Sequence, residues 1–231
     1  MMKRMMFLPV LLFLLLPVMA LAEASLPLTD LPHEKQRNFL QNASLVATQA
    51  DYANLGIACF DVRSDGMVAL GFNLPSGGRY AAVLDADGVF QYGYIFRCTG
   101  SFLLDWAEDG LGIIWVRSNT RAVFDEAGSC LSIAAFNIDH AANRYINALH
   151  APVRRTAEAV YELETDWPLA LIPARLVRTD TQGTAVVLHD VSAASMLSAL
   201  LVYAMIVFIA VCFIVTHKRQ AGRIDNQLNS C

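Results

Sequence analysis

With 231 residues and one stretch of ordinary composition between two apolar ends, the chain suits one folded domain rather than several. The formal charge of −4 is the sum of two basic ends and an acidic middle, Glu23 to Asp190, which carries about −8. That balance argues against nucleic acid and an anionic membrane face as partners of the middle, since both require clustered positive charge.

The chain opens with Met1-Met2-Lys3-Arg4, a Leu-rich apolar run from Met5 to Met19, and Ala20-Leu21-Ala22. A basic start, an apolar run and a small-x-small site read as a signal peptide over 1–22, with the mature chain beginning at Glu23. An uncleaved anchor helix is the alternative and leaves the same middle outside the cytoplasm. The leading segment, 23–55, contains Leu26-Pro27 and Leu31-Pro32, followed by a short predicted helix from Glu34.

From 56 to 190 the sequence reads as repeated β-hairpins. Asp65-Gly66, Asp87-Gly88 and Asp109-Gly110 recur at 22-residue intervals between apolar runs. Asp-Gly in that setting predicts a tight turn, because Gly takes the positive φ that the turn needs. A longer period is superimposed. Ala82-Val83-Leu84-Asp85-Ala86-Asp87-Gly88 returns 40 residues on as Ala122-Val123-Phe124-Asp125-Glu126-Ala127-Gly128, and Leu176 to Leu188 gives a third version around Gly183. Phe90, Tyr92, Tyr94 and Phe96 alternate with Gln91, Gly93, Ile95 and Arg97, which predicts a strand with one aromatic face. Asn137 to Val153 breaks the pattern with helical composition that Pro152 would end, so it reads as a helical insertion.

These hairpins, with Tyr92-Gly93-Tyr94 and Trp115-Val116-Arg117-Ser118, resemble the blade repeats of uncharacterised bacterial single-pass membrane proteins with a β-propeller-like ectodomain. The resemblance covers roughly 56–190. It implies a mainly β fold, an incomplete propeller-like array or meander of antiparallel hairpins, with room for about three blades where closed rings use four or more. Three blades leave open sheet edges, which the segment Leu26 to Ala50 or the insertion would cover; edge-to-edge pairing with a second copy is the less favoured alternative.

An uncharged run from Ser192 to Thr216 ends in His217-Lys218-Arg219, with Arg223 beyond. It is long enough for the ~30 Å hydrocarbon core, and the basic flank favours the cytoplasmic side. The expectation is therefore a transmembrane helix over 192–216, a cytoplasmic tail over 217–231, and a type I protein of the cell membrane with the lipid bilayer as a partner. Small pairs at Ala194/Ser198 and Ser195/Ala199 have the spacing that lets membrane helices approach closely.

The search for chemistry assigns no catalytic, cofactor or metal residue. Asp105, Glu108 and Asp109 lie near Trp106, and paired carboxylates beside an aromatic suit glycoside cleavage; the competing role is a solvated turn. Asp85, Asp87 and Asp125 are oxygen donors for calcium or, without the twelve-residue ligand spacing, caps of their own turns. His33, His140, His150 and His189 form no paired ligand motif, and Cys59, Cys98 and Cys130 have no zinc or redox spacing. Tyr92 and Tyr94 would stack on sugars or pair across strands. Asn42-Ala43-Ser44 is a glycosylation sequon. The sequence thus points to a membrane-anchored, extracytoplasmic interaction module for an unknown protein or polysaccharide. The alternative is a carbohydrate-active or carbohydrate-sensing envelope protein using Asp105, Glu108 and Asp109.

Overall fold

Three antiparallel meanders, each of four strands in sequence order, make up the domain. The computed structural model describes residues 26–51, 54–164, 175–191, 201–209 and 213. The first meander comprises β3 (Ile57–Val62), β4 (Val68–Asn73), β5 (Arg79–Leu84) and β6 (Phe90–Phe96). The second comprises β7 (Phe102–Trp106), β8 (Leu111–Trp115), β9 (Thr120–Phe124) and β10 (Cys130–Phe136). The third comprises β11 (Val153–Arg155), β12 (Ala159–Glu164), β13 (Arg175–Asp180) and β14 (Ala185–Asp190). Two short strands, β1 (Leu28–Asp30) and β2 (Val46–Thr48), flank helix α1 (His33–Ala43); helix α2 (His140–Leu149) joins the second meander to the third.

The first sheet is the middle layer. Along β4 and β5, Val68, Leu70, Phe72, Tyr80, Ala82 and Leu84 pack towards the third sheet. Their alternates, Ala69, Ala81 and Val83, pack towards the second sheet with Cys59, Tyr94 and Phe96. A strand covered on both faces needs apolar residues at every position, and β4 and β5 therefore read as unbroken apolar runs. The small residues set the spacing. A Cβ on Gly71 would run into the Cys59 thiol and the Phe102 ring, so only glycine lets β7 come this close. The propeller-like resemblance is corrected here: the array is a stack of three sheets, with the middle one buried on both sides.

The third hairpin of each meander is closed by one repeated turn. In Asp85–Gly88, Asp125–Gly128 and Asp180–Gly183 the Gly amide donates to the Asp carbonyl, and each Gly has a φ between +81° and +84°. The Asp carboxylate accepts amides further along its own turn: Asp87 and Val89 on Asp85, Ser129 on Asp125, Gln182 and Thr184 on Asp180. A residue with a Cβ is strained at such a φ. Gly88→Val is expected to cost about 1 kcal/mol or more and to lower the melting temperature; an unchanged melting curve would show that this turn does not need glycine.

Edge cover comes from the leading segment. β1 pairs with β10 and β2 with β6, so the last strands of the second and first meanders each gain a fifth strand. Among the described residues β14 gains none, and Val186 and Val187 are exposed there. The helical insertion expected over Asn137 to Val153 is α2, with Asp139 capping it by accepting the Ala142 amide at 2.8 Å, and the short helix expected from Glu34 is α1.

The signal segment 1–22 lies outside the described residues. The anchor over 192–216 is the main correction. Most of that run lies outside the described residues. No helix among the described residues is long and apolar enough to cross a membrane. The single-pass topology, the bilayer partner and the cell-membrane location that rested on it are not retained.

Candidate functional site

The carboxylate picked out for chemistry turns out to be a buried strut. Asp105 on β7 stands opposite Gly112 on β8 and is 2% exposed. Its Oδ2 accepts Arg121 Nε at 2.8 Å and the Tyr145 hydroxyl of α2 at 2.5 Å. Its Oδ1 packs against Gly112, where any Cβ would collide with it. Burial, and then the Asp105 charge, push the Tyr145 phenol up, so it remains a donor to the carboxylate. Glu108 and Asp109 are exposed in the β7–β8 turn, away from this cluster. The carbohydrate-active alternative is therefore overturned, because one of its three carboxylates is sealed under a helix while the other two face solvent. Among the described residues no group of three His, Cys, Asp or Glu side chains is placed to hold a metal ion.

A second buried pair ties α2 and the third sheet to the middle layer. Arg154 Nε donates to Asp61 Oδ1 at 3.0 Å, and both side chains are 14% exposed. Asp61 Oδ2 accepts the Trp106 amide at 3.1 Å. The same guanidinium donates to the carbonyls of Leu149 and Ala151 at 2.8 Å each, which closes the C-terminal end of α2. Burial raises the Asp61 carboxyl, while Arg154 pulls it back down.

The other singled-out residues are scattered. His33, His140 and His150 are exposed, whereas His189 is buried with Nε2 2.9 Å from the Leu55 carbonyl. Cys59, Cys98 and Cys130 are free thiols, each pushed up by burial. Tyr92 and Tyr94 both face the core between the first and second sheets, their rings 5.6 Å apart, and the Tyr94 hydroxyl donates to the Asp125 carbonyl at 2.6 Å. Asn42 of the sequon is exposed.

What the fold does assemble is a cleft of about 540 Å³ between the first and second sheets, lined by Gln49, Met67, Asp85, Gln91, Tyr92 and Glu126, with Ala127 at the rim. The side chains arrive from four separate segments. Gln49 follows β2, Met67 ends the β3–β4 turn, and Asp85 and Gln91 flank the β5–β6 turn. Tyr92 lies on β6, and Glu126 stands in the β9–β10 turn. Gln91 Nε2 donates to Asp85 Oδ2 at 2.8 Å, which fixes one wall. Burial first, then the Glu126 charge, raise the Tyr92 phenol and keep it protonated.

Among the described residues, no basic side chain lines this cleft. The neighbouring cation, Arg63, touches the lining at Met67 Sδ, 2.5 Å away, while its charge is paired with Asp65 through three donor contacts of 2.7 to 3.1 Å and it lies over the Trp106 ring at 4.8 Å. The Asp65 contact keeps that guanidinium above its usual range and draws the Asp65 carboxyl below its own. The first and third hairpin turns all point to this end of the molecule, so Asp65, Asp87, Glu108, Asp109 and Glu126 lie exposed around it.

Of the lining residues, only Asp85 and Tyr92 stand out in the sequence, and for other roles. Gln49, Met67, Gln91 and Glu126 carry no motif; the 40-residue repeat, which aligns the Asp85 and Asp125 turns, is the one sequence signal that points to this place. No family model, curated protein or solved structure matches the chain.

Proposed function

We propose that the protein is a binding domain that recognises its ligand at the cleft between the β5–β6 and β9–β10 turns, acting by recognition rather than by bond making. The cleft carries the reading: polar side chains from the end of β2, the β5–β6 hairpin and the β9–β10 turn converge on one opening beside an aromatic ring. The two carboxylates held by arginines beneath the sheets, by contrast, are consumed in holding the sheets and α2 together. Asp105 and Asp61 each face an arginine, and each accepts a further donor. They carry load in the fold and have no path to a substrate.

The test is thermal unfolding of the full chain against a panel of basic peptides, acidic peptides and neutral oligosaccharides. A ligand of the native state raises stability by about 2.7 kcal/mol at a hundred times its Kd. At least one class is expected to raise the melting temperature, and Glu126→Gln or Gln49→Ala is expected to reduce that rise. Both positions are exposed, so neither change disturbs the core. A rise that both variants leave intact would place binding elsewhere.

A further inference from the structure

We infer that the occupant of the cleft is a cationic peptide segment, an exposed basic stretch of a partner protein that lays a Lys or Arg side chain against Tyr92 between Asp85 and Glu126. This rests on the cleft reading above and adds the chemistry of the ligand. Three observations carry it.

The first is the composition of the lining. It offers two carboxylates, two amides, a phenol, a thioether and no cation. An anionic ligand would meet repulsion from Asp85 and Glu126, and the cation beside the cleft, Arg63, is already paired with Asp65, whereas an ammonium or guanidinium meets opposite charge on both walls. An aromatic ring adds a favourable surface for such a cation. The second is the surround. Asp65, Asp87, Glu108 and Asp109 stand exposed on the turns at the same end of the stack. Arg63 pairs with Asp65, and Arg178, bonded to the Ala86 carbonyl at 2.9 Å, lies 4.0 Å from Asp87. Glu108, Asp109 and Glu126 carry the acidic charge on over an area wider than the cleft, which suits a peptide with several charges better than a single small cation.

The third is the contrast with the opposite end. There Arg97 and Arg117 are exposed and Arg79 is half-buried, with α1 packed alongside through Phe39 against Trp115. The two ends thus carry opposite charge, and a basic segment is steered to the cleft end and away from the other.

The experiment is fluorescence-polarisation binding of labelled (Lys-Gly)4, with (Glu-Gly)4, spermine and maltotriose as competitors, to the full chain. We expect (Lys-Gly)4 to bind and to weaken several-fold as salt rises from about 0.05 to about 0.5 M, because exposed pairs are screened. Glu126→Gln is expected to weaken it about two- to fivefold, the size of one exposed ion pair. Gln49→Lys, which puts a cation into the lining, is expected to weaken it more. Arg117→Gln, at the opposite end, is the control and leaves binding unchanged. Spermine competing as well as unlabelled peptide would reduce the occupant to a small polycation and overturn the peptide assignment. Maltotriose binding that depends on Glu126 and Gln49, with no binding of (Lys-Gly)4, would overturn the cationic assignment and leave the cleft reading standing. Peptide binding that neither cleft variant changes would overturn both.

Discussion

Asp105→Ala is expected to lower the unfolding free energy by about 3–5 kcal/mol, because it leaves Arg121 and the Tyr145 hydroxyl without their acceptor beneath α2. Breaking one half of a buried ion pair costs far more than the pair is worth, since the surviving charge keeps its desolvation penalty. Urea unfolding of the full chain measures this as a fall in midpoint. Adding Arg121→Met removes the stranded charge, so the double variant is expected to regain part of the loss. A double variant less stable than Asp105→Ala alone would show that Arg121 stabilises the fold by some contact other than Asp105. The same cluster explains Gly112, since any side chain there collides with the Asp105 carboxylate.

The second large effect is at Arg154. Its guanidinium joins Asp61 on β3 to the end of α2 and to β11. Arg154→Met is expected to cost about 3 kcal/mol or more near neutral pH, by leaving Asp61 buried without its counter-charge. The cost depends on pH with a definite sign. Burial holds the folded Asp61 carboxyl above its unfolded value of about 3.9. As pH rises through that window the unfolded chain releases its proton first, so stability falls with rising pH and levels off above the folded value. Arg154 is what pulls that folded value down. Its removal widens the window, and the gap between wild type and variant should therefore grow as pH rises from about 4 to about 7. A gap independent of pH would mean that Arg154 acts through the helix-end carbonyls alone.

The hairpins were legible because their signal is local. Gly88, Gly128 and Gly183 sit at positive φ where the repeat puts them, and the Asp that begins each turn binds its own amides. What lay between turns was less legible. Phe90 was expected to share a face with Tyr92, yet the β5–β6 register slips between Val83 and Leu84, so that Phe90 pairs with Leu84 and packs towards the third sheet. A bulge is one extra residue, and alternation read from sequence cannot place it. Asp105 was misread for a related reason. An acid two residues from an exposed turn looks solvated, and only tertiary structure brings Arg121 and Tyr145 to it, from 16 and 40 residues away. The cleft was the least legible part, since side chains from four separate segments line it and only the 40-residue repeat that aligns the Asp85 and Asp125 turns points to it.

The most direct test of the binding reading is a residue-resolved NMR titration of the full chain with (Lys-Gly)4. Amide shifts are expected to concentrate at Gln49, Met67, Gln91, Tyr92, Glu126 and Ala127, and to disappear with Gln49→Lys. Shifts centred instead on the exposed β14 edge at Val186 and Val187, or on Arg97 and Arg117 at the opposite end, would contradict the assignment of this cleft as the site of recognition.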